Sequence, residues 1–428
     1  MTSMRQGRTA ALMVGAALLV STVGDEVAMV ALALRGADRT GLTSVVSAQM
    51  LAGLVPGIVL GGPIGRVCDR FRTDAVLGVA LALECLVAAA AAAVADSALL
   101  LITAMLMLGV LGAVAQTCVM ALVPQLFPGP GIQLRVNGVM ESVRNAGYIV
   151  GPLLVGLLTA HGGTGLALVV DAGTFAFALL AIPVIRGRIS APHPAASAPA
   201  GAGKRTAGAA GGGLRLGLSL LWAGAGRRMT LTTIAVTVAA TSVANVLMPF
   251  FARDIPGGTA VYGTLLATWS VGLVLGPFLL RGRLGRLPTS AVAVTAATCI
   301  GLSYMVTGAF PVIPLMLAAF LGGGMANAVQ NVALRTHVMA DCPQDVRGRV
   351  GAAYGATLQS AVAAGFALAA LVPADGARWG ILAGGVIAFL AGLLGRLGLL
   401  RTRVTAGPPA PGRPVTVTAG TALDGERP

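Results

Sequence analysis

The sequence predicts an all-α membrane protein, with twelve transmembrane helices in two pseudo-symmetric six-helix bundles, and three observations predict it. Hydrophobic residues make up 56% of the 428 and charged residues 10%, more apolar surface than a water-soluble core of ordinary composition encloses. The apolar residues fall into runs of about 20, the length a helix needs to cross hydrocarbon. The second half of the chain also repeats the first. GIVLG from Gly57 to Gly61 returns as GLVLG from Gly272 to Gly276, an offset of 215, and Arg135 to Gly151 aligns with Arg349 to Gly365, an offset of 214. Parallel repeats of this kind describe a transporter with one cavity between two bundles.

Taken in order, the first run follows Arg5 and Arg8 and continues to Leu34 with no clear cleavage site, so it reads as a retained span over 10–34 rather than a signal peptide. Polar breaks then delimit spans at 43–65, 75–95, 98–123, 136–160 and 164–185. Ala191 to Gly213 is rich in Ala, Pro and Gly and carries Lys204 and Arg205, the composition of a flexible linker. The second set of spans covers 229–252, 260–280, 289–309, 312–338, 350–372 and 378–400, the third and fourth of them divided by a very short turn at Phe310 and Pro311. The tail after Arg403 holds four prolines from Pro408 to Pro414 and is expected to be disordered. The expected organisation is a bundle over 1–190, a cytoplasmic linker over 191–226, a second bundle over 227–403 and a cytoplasmic tail over 404–428.

A formal net charge of +14 invites a nucleic-acid reading, but the basic residues cluster at the ends of apolar runs, where they set membrane orientation. With the amino terminus inside, 24 of the 29 Lys and Arg fall on one face, Arg35, Arg39, Arg253 and Arg378 fall on the other, and Arg144 lies within a span. Both termini are therefore expected in the cytoplasm, with an even number of spans. The lysine-poor, Ala- and Gly-rich composition points to a GC-rich bacterial genome, and the expected location is the bacterial plasma membrane. Cys68, Cys85, Cys118, Cys299 and Cys342 are odd in number and scattered, so they read as small hydrophobes. His161, His193 and His337 are far apart, and no glycine-rich run places GK[ST] after a strand. Metal, cofactor, catalytic residues and ATP are not expected.

The stretch from Arg135 to Leu158 places Glu141 and Arg144 inside an apolar helix, three residues apart, where they share a face and can neutralise one another as a buried ion pair. Gly138, Gly147 and Gly151 form a stripe that lets another helix approach, and Pro152 removes a backbone donor and bends the helix. After the second span, GGPIGRVCDRF closes a tight cytoplasmic turn in which Asp69 can pair with Arg66, Arg70, Arg72 or a helix end. A plain positive-inside loop explains that turn as well as a conformational latch does.

These residues resemble motifs of the major facilitator superfamily. Gly65, Asp69, Arg70 and Arg72 fit its loop motif G-x-x-x-D-R-x-G-R-R, with Phe71 and Thr73 departing from it. Gly138, Gly147, Gly151, Pro152 and Gly156 meet its antiporter signature G-x8-G-x3-G-P-x2-G-G, with Val155 departing. VPQLFPGPGIQLRVNG before the fifth span and DCPQDVRGRV before the eleventh are similar to the drug-exporting branch that includes the enterobactin exporter and macrolide-efflux proteins. The resemblance implies the major facilitator fold, rocking-bundle alternating access and export of small organic molecules against proton entry. RGRLGR, Arg281 to Arg286, occupies the loop of the second half and lacks the aspartate, so a latch built on Asp69 would be one-sided. Arg347, Gly348 and Arg349, with Asp345, form a further basic corner.

Five carboxylates fall within the spans, all in the first half: Asp25, Glu26, Glu84, Glu141 and Asp171. An ionisable group in hydrocarbon costs about 3 kcal/mol or more, so each must face a cavity, pair, or bind a proton. Asp25 is the first candidate for proton coupling. The alternative is a hydrogen bond to Ser21, Thr22 or a neighbouring helix. Its counterpart in the second half, judged by TVGD against SVAN, is Asn245. Glu26, about 100° round the helix, Glu84 and Asp171 are further candidates. Asn245, Trp269, Asn327, Gln330, Asn331, Tyr354 and Gln359 are candidate pocket residues, with interhelical hydrogen bonding as their structural role. Asn327, Gln330 and Asn331, spaced i, i+3, i+4, can line one helix face.

The expected partners are a small-molecule substrate, protons and the lipid bilayer, with no nucleic acid, and the chain is expected to act as a monomer. An uncoupled facilitator or importer of the same fold is the alternative. A non-transporting scaffold or membrane enzyme is a remote one, since no catalytic constellation accompanies the repeat.

Overall fold

The structure is a computed structural model that describes residues 2–94, 96–126, 130–187, 215–280, 287–340, 342 and 346–405, with the side chains of 2–19, 123–126 and 130–146 and some single positions, among them Asp69 and Pro152, outside the description. It is built from α-helices. The first half consists of α1 (Thr2–Thr40), α2 (Thr43–Val59), α3 (Gly61–Arg70), α4 (Thr73–Val94), α5 (Ala98–Leu126), α6 (Pro130–Leu179) and the short α7 (Ile182–Arg186). The second consists of α8 (Ala225–Arg253), α9 (Gly258–Leu279), α10 (Thr289–Ala309), α11 (Ile313–Met339), α12 (Arg347–Ala369) and α13 (Ala377–Thr405). Among the described residues nine helices are long and apolar enough to cross a membrane, ten if the bent pair α2 and α3 is one span. With α1 and the first part of α6, this is consistent with twelve.

Several boundaries differ from expectation. The fifth and sixth spans run together as α6, bent where Gly163 takes φ 70° and ψ −176°, a conformation open to glycine because it has no Cβ. The tight turn expected after the second span is instead the helix α3, inclined at 59° to the rest of that span. Pro63 sits in its first turn, where a missing backbone donor has no helical partner to lose. The first helix continues past Leu34 to Thr40 and takes in Arg35, which is 6% exposed and donates to the carbonyl of Ala92 (3.0 Å) and to Asp96 (3.1 Å). The segment expected as flexible linker ends in a helical stretch over 215–221, where Leu221 is fully buried and Gly217 lies against the backbone of Arg349. Leu218 and Leu221, three residues apart, share a helix face, and of the two Leu221 is fully buried while Leu216 is exposed.

In the first bundle α1 packs along α6, and α4 lies between α5 and α6. In the second, α10 packs on α11 and α13, and α8 packs on α12 and α13. Among the described residues, the contacts that join the halves toward the end remote from the chain termini include three that are specific. Arg253 of α8 pairs with Asp38 of α1 at 2.9 Å, and Thr43 of α2 donates to the carbonyl of Val372 at 2.5 Å. In the third, Gly156 of α6 meets Gly263 of α9 backbone to backbone.

Candidate functional site

Four carboxylates come together inside the first bundle because three of its helices each carry an acid at a similar depth. Glu84 on α4 is 1% exposed and Asp171 on α6 is fully buried. Asp25 on α1 interacts electrostatically with both, and with Glu26 beside it. The Asp25 side chain is itself exposed. Its interactions with Glu84 and Asp171 put it near the acids of α4 and α6.

The surroundings hold this group tightly. Gly24 leaves no room for a side chain against Asp171 and Thr174, whose hydroxyl donates to the Asp171 carbonyl at 2.7 Å. Glu84 Oε1 would lie 3.6 Å from a Cβ placed on Gly112, which sets the carboxyl against α5. Glu26, half-buried, rests on Gly151: a Cβ there would come within 2.5 Å of the Cβ of Glu26. One glycine of the antiporter motif thus gives α1 room to seat an acid. Glu84 Oε2 and Asp171 Oδ2 are buried without a hydrogen-bond partner. Among the described residues no ion pair involves any of the four acids, which leaves proton binding or solvation as the ways to stabilise them.

Of the other motif residues, Gly147 is buried and Gly156 touches the opposite bundle, while the side-chain positions at Gly138 and Pro152 lie outside the described residues. The Glu141 and Arg144 side chains lie outside them too, as does that of Asp69. Gly65 stands on α3 with open space around it, and the Arg70 guanidinium sits 5.8 Å from the Phe71 ring centre. Arg72 pairs with Asp74 (3.2 Å), to which Arg186 also donates (2.9 Å). Asp74 is an acid that sequence reasoning missed: it stands at the start of a span, and its partner Arg186 is 112 residues away. The Arg281–Arg286 loop and Asp345 lie outside the described residues.

In the second bundle, Trp269 meets Tyr304 and Phe320 in a three-ring cluster, each pair of centres 5.7 Å apart. Tyr304 donates to Asn245 Oδ1 at 2.9 Å, and Asn245 is exposed. Tyr304 and Phe320 are additions; each is an aromatic in an apolar run, with no local signal to separate it from core. Asn331 donates to Asn327 at 3.1 Å, and Asn331 is exposed. Gln330 does not share that environment: it is 2% exposed, with Oε1 unpartnered. Tyr354 is half-buried and Gln359 exposed on α12. Asn245 lies eight residues before the end of α8 and Asp25 fifteen before the end of α1, a difference of about 10 Å along the axis. By helix ends the counterpart of Asp25 is closer to Ala240 than to Asn245.

The sequence profile of the Major Facilitator Superfamily matches residues 13–366. The chain belongs to that superfamily. The multidrug efflux pump Tap of Mycobacterium tuberculosis is 29% identical over 353 residues, covering 78% of this chain and 80% of its own. The multidrug efflux pump Tap of Mycolicibacterium fortuitum is 29% identical over 239 residues, 54% of this chain and 55% of its own. Among solved structures, a bacterial homologue of the iron transporter ferroportin in an inward-facing state superposes with a TM-score of 0.66 at 14% identity, over 93% of this chain and 98% of the other. The nucleoside transporter NupG does so with a TM-score of 0.66 at 12% identity, over 93% and 99%. At those identities the likeness is one of fold. This major facilitator chain is a multi-pass membrane transporter whose acids gather in one bundle and whose described aromatic cluster sits in the other.

Proposed function

We propose that the chain exports small organic molecules, drugs or natural products, across a bacterial plasma membrane in exchange for protons, acting as a monomer with both termini in the cytoplasm and catalysing no covalent step. One observation carries this reading: Asp25, Glu84 and Asp171 interact across three helices of one bundle while no described cation neutralises the group. A carboxyl in such a place can take a proton when water reaches it from one side and release it when water reaches it from the other. The names of the Tap relatives support efflux and a multidrug substrate range. The contacts that join the halves away from the termini support an inward-open state, ready to load substrate from the cytoplasm.

The test is uptake of a fluorescent amphipathic substrate into inverted vesicles under a proton gradient. Wild type accumulates substrate, and Asp25→Asn, folded and inserted, does not. Accumulation that survives a proton uncoupler overturns antiport. Unchanged uptake in Asp25→Asn overturns the assignment of Asp25.

A further inference from the structure

Two of the five cysteines meet. Cys68 Sγ on α3 lies 3.3 Å from Cys118 Sγ on α5, fifty residues away in sequence. Cys68 is 7% exposed and Cys118 fully buried, in a cluster with Ile64, Leu77, Leu122 and Phe175 that is separate from the main core. Each is free, and the sequence reading of scattered small hydrophobes gave no hint of the pair. A disulfide sulfur separation is about 2.0 Å, so closing this gap needs side-chain rotation of about an ångström with little backbone movement.

We propose that Cys68 and Cys118 are a redox modification site, oxidised by hydrogen peroxide to a disulfide that fixes α3 to α5 and slows transport. In balance, the Cys68 thiol attacks the peroxide O–O bond to give a sulfenic acid and water. The Cys118 thiol then attacks that sulfur, forming the S–S bond and releasing a second water. One peroxide is reduced to two waters and two thiols are oxidised to one disulfide, which a dithiol reductant reverses by exchange. Cys68, the more exposed, is the sulfur oxidised first.

The consequence for transport follows from where α3 sits. It is bent by 59° from α2, and α2 carries the Thr43 contact to Val372 of the other half. Any change of the α2–α3 angle as the halves rock moves Cys68 relative to α5. A covalent staple forbids that change, whereas a sulfur–sulfur contact does not. The rate effect rests on the transport reading above; the cross-link itself does not.

The experiment treats the full-length protein in vesicles with hydrogen peroxide and identifies peptides by mass spectrometry after alkylation, alongside the uptake assay. Expected is a Cys68–Cys118 linked peptide lighter by two hydrogen atoms than the sum of its parts. Uptake should fall severalfold, recover with dithiothreitol, and resist peroxide in both Cys68→Ala and Cys118→Ala. Two single variants are used so that a folding defect in the more buried one leaves the other. Absence of the linked peptide overturns the site, and a linked peptide with unchanged uptake overturns its role. A protein that does not transport when reduced speaks against the transport reading alone.

Discussion

Asp38 and Arg253 are 215 residues apart, the repeat offset of the chain, and their side chains meet at 2.9 Å. Equivalent positions at the ends of α1 and α8 thus face each other between the halves, one as an acid and the other as a base. The arginine also lies 5.2 Å from the Phe250 ring centre. The pair is partly exposed, at 45% and 32%, so it contributes about 0.2–1 kcal/mol to closure at that end.

Arg253→Gln should therefore move the population away from the closed arrangement by about 1.4- to fivefold, with a smaller effect at high salt. Spectroscopic distances between labels on the ends of α1 and α8 check this. Asp38→Asn should match it, and the double variant should add little, because one contact is lost in each case.

Glu84→Gln should fold. The carboxyl is buried with Oε2 unpartnered, and glutamine is nearly isosteric, so the change in stability is expected within about 1 kcal/mol in either direction. Glu84→Lys adds bulk and a cation beside Gly112 and should abolish insertion or folding. Thermal unfolding in detergent separates the two outcomes, and a large loss in Glu84→Gln would show an ionic role that the described contacts do not contain.

The acids were legible in the sequence because a carboxylate in an apolar run is conspicuous by itself, as Asp25, Glu84 and Asp171 are. Their convergence was not, since it depends on how α1, α4 and α6 pack. The spacing of Asn327, Gln330 and Asn331 fixes angles about their own helix but not which angle faces a neighbour; Gln330 turned inward and became buried. Arg35 was read as a loop residue from its charge. Its two terminal nitrogens donate to Ala92 and Asp96, partners about sixty residues away that no local pattern announces, while Nε is buried without a partner. The turn expected at GGPIG became α3 because proline in a first helical turn does not oppose a helix.

Tyr304→Phe removes the donor to Asn245 and leaves the ring cluster with Trp269 and Phe320 intact. The loss of one such hydrogen bond is about 0.5–1.5 kcal/mol. Since Asn245 is exposed, water replaces part of it, so the stability change should fall at the low end of that range. If Asn245 contacts substrate, its freed amide will lose orientation, and KM should rise while the maximal rate changes less. Concentration-dependent uptake distinguishes this from a packing defect, which would lower the amount of folded protein at every substrate concentration.

Gly156→Ala is expected to act on the contact between the halves. A Cβ at that position would stand 2.8 Å from the Cα of Gly263, and the neighbour is backbone, which has no rotamer to yield. The helices α6 and α9 must part by a few tenths of an ångström or more, and overpacking of this kind costs about 1–3 kcal/mol. The penalty falls on the arrangement in which these helices touch, so the variant should favour the opposite opening and should combine additively with Arg253→Gln, whose pair lies elsewhere on the interface. Gly151→Ala is the control: its Cβ would press on Glu26 within one bundle, so it should lower stability without biasing the opening. Label distances between α6 and α9 that stay unchanged in Gly156→Ala would show that the glycine contact does not hold the halves together.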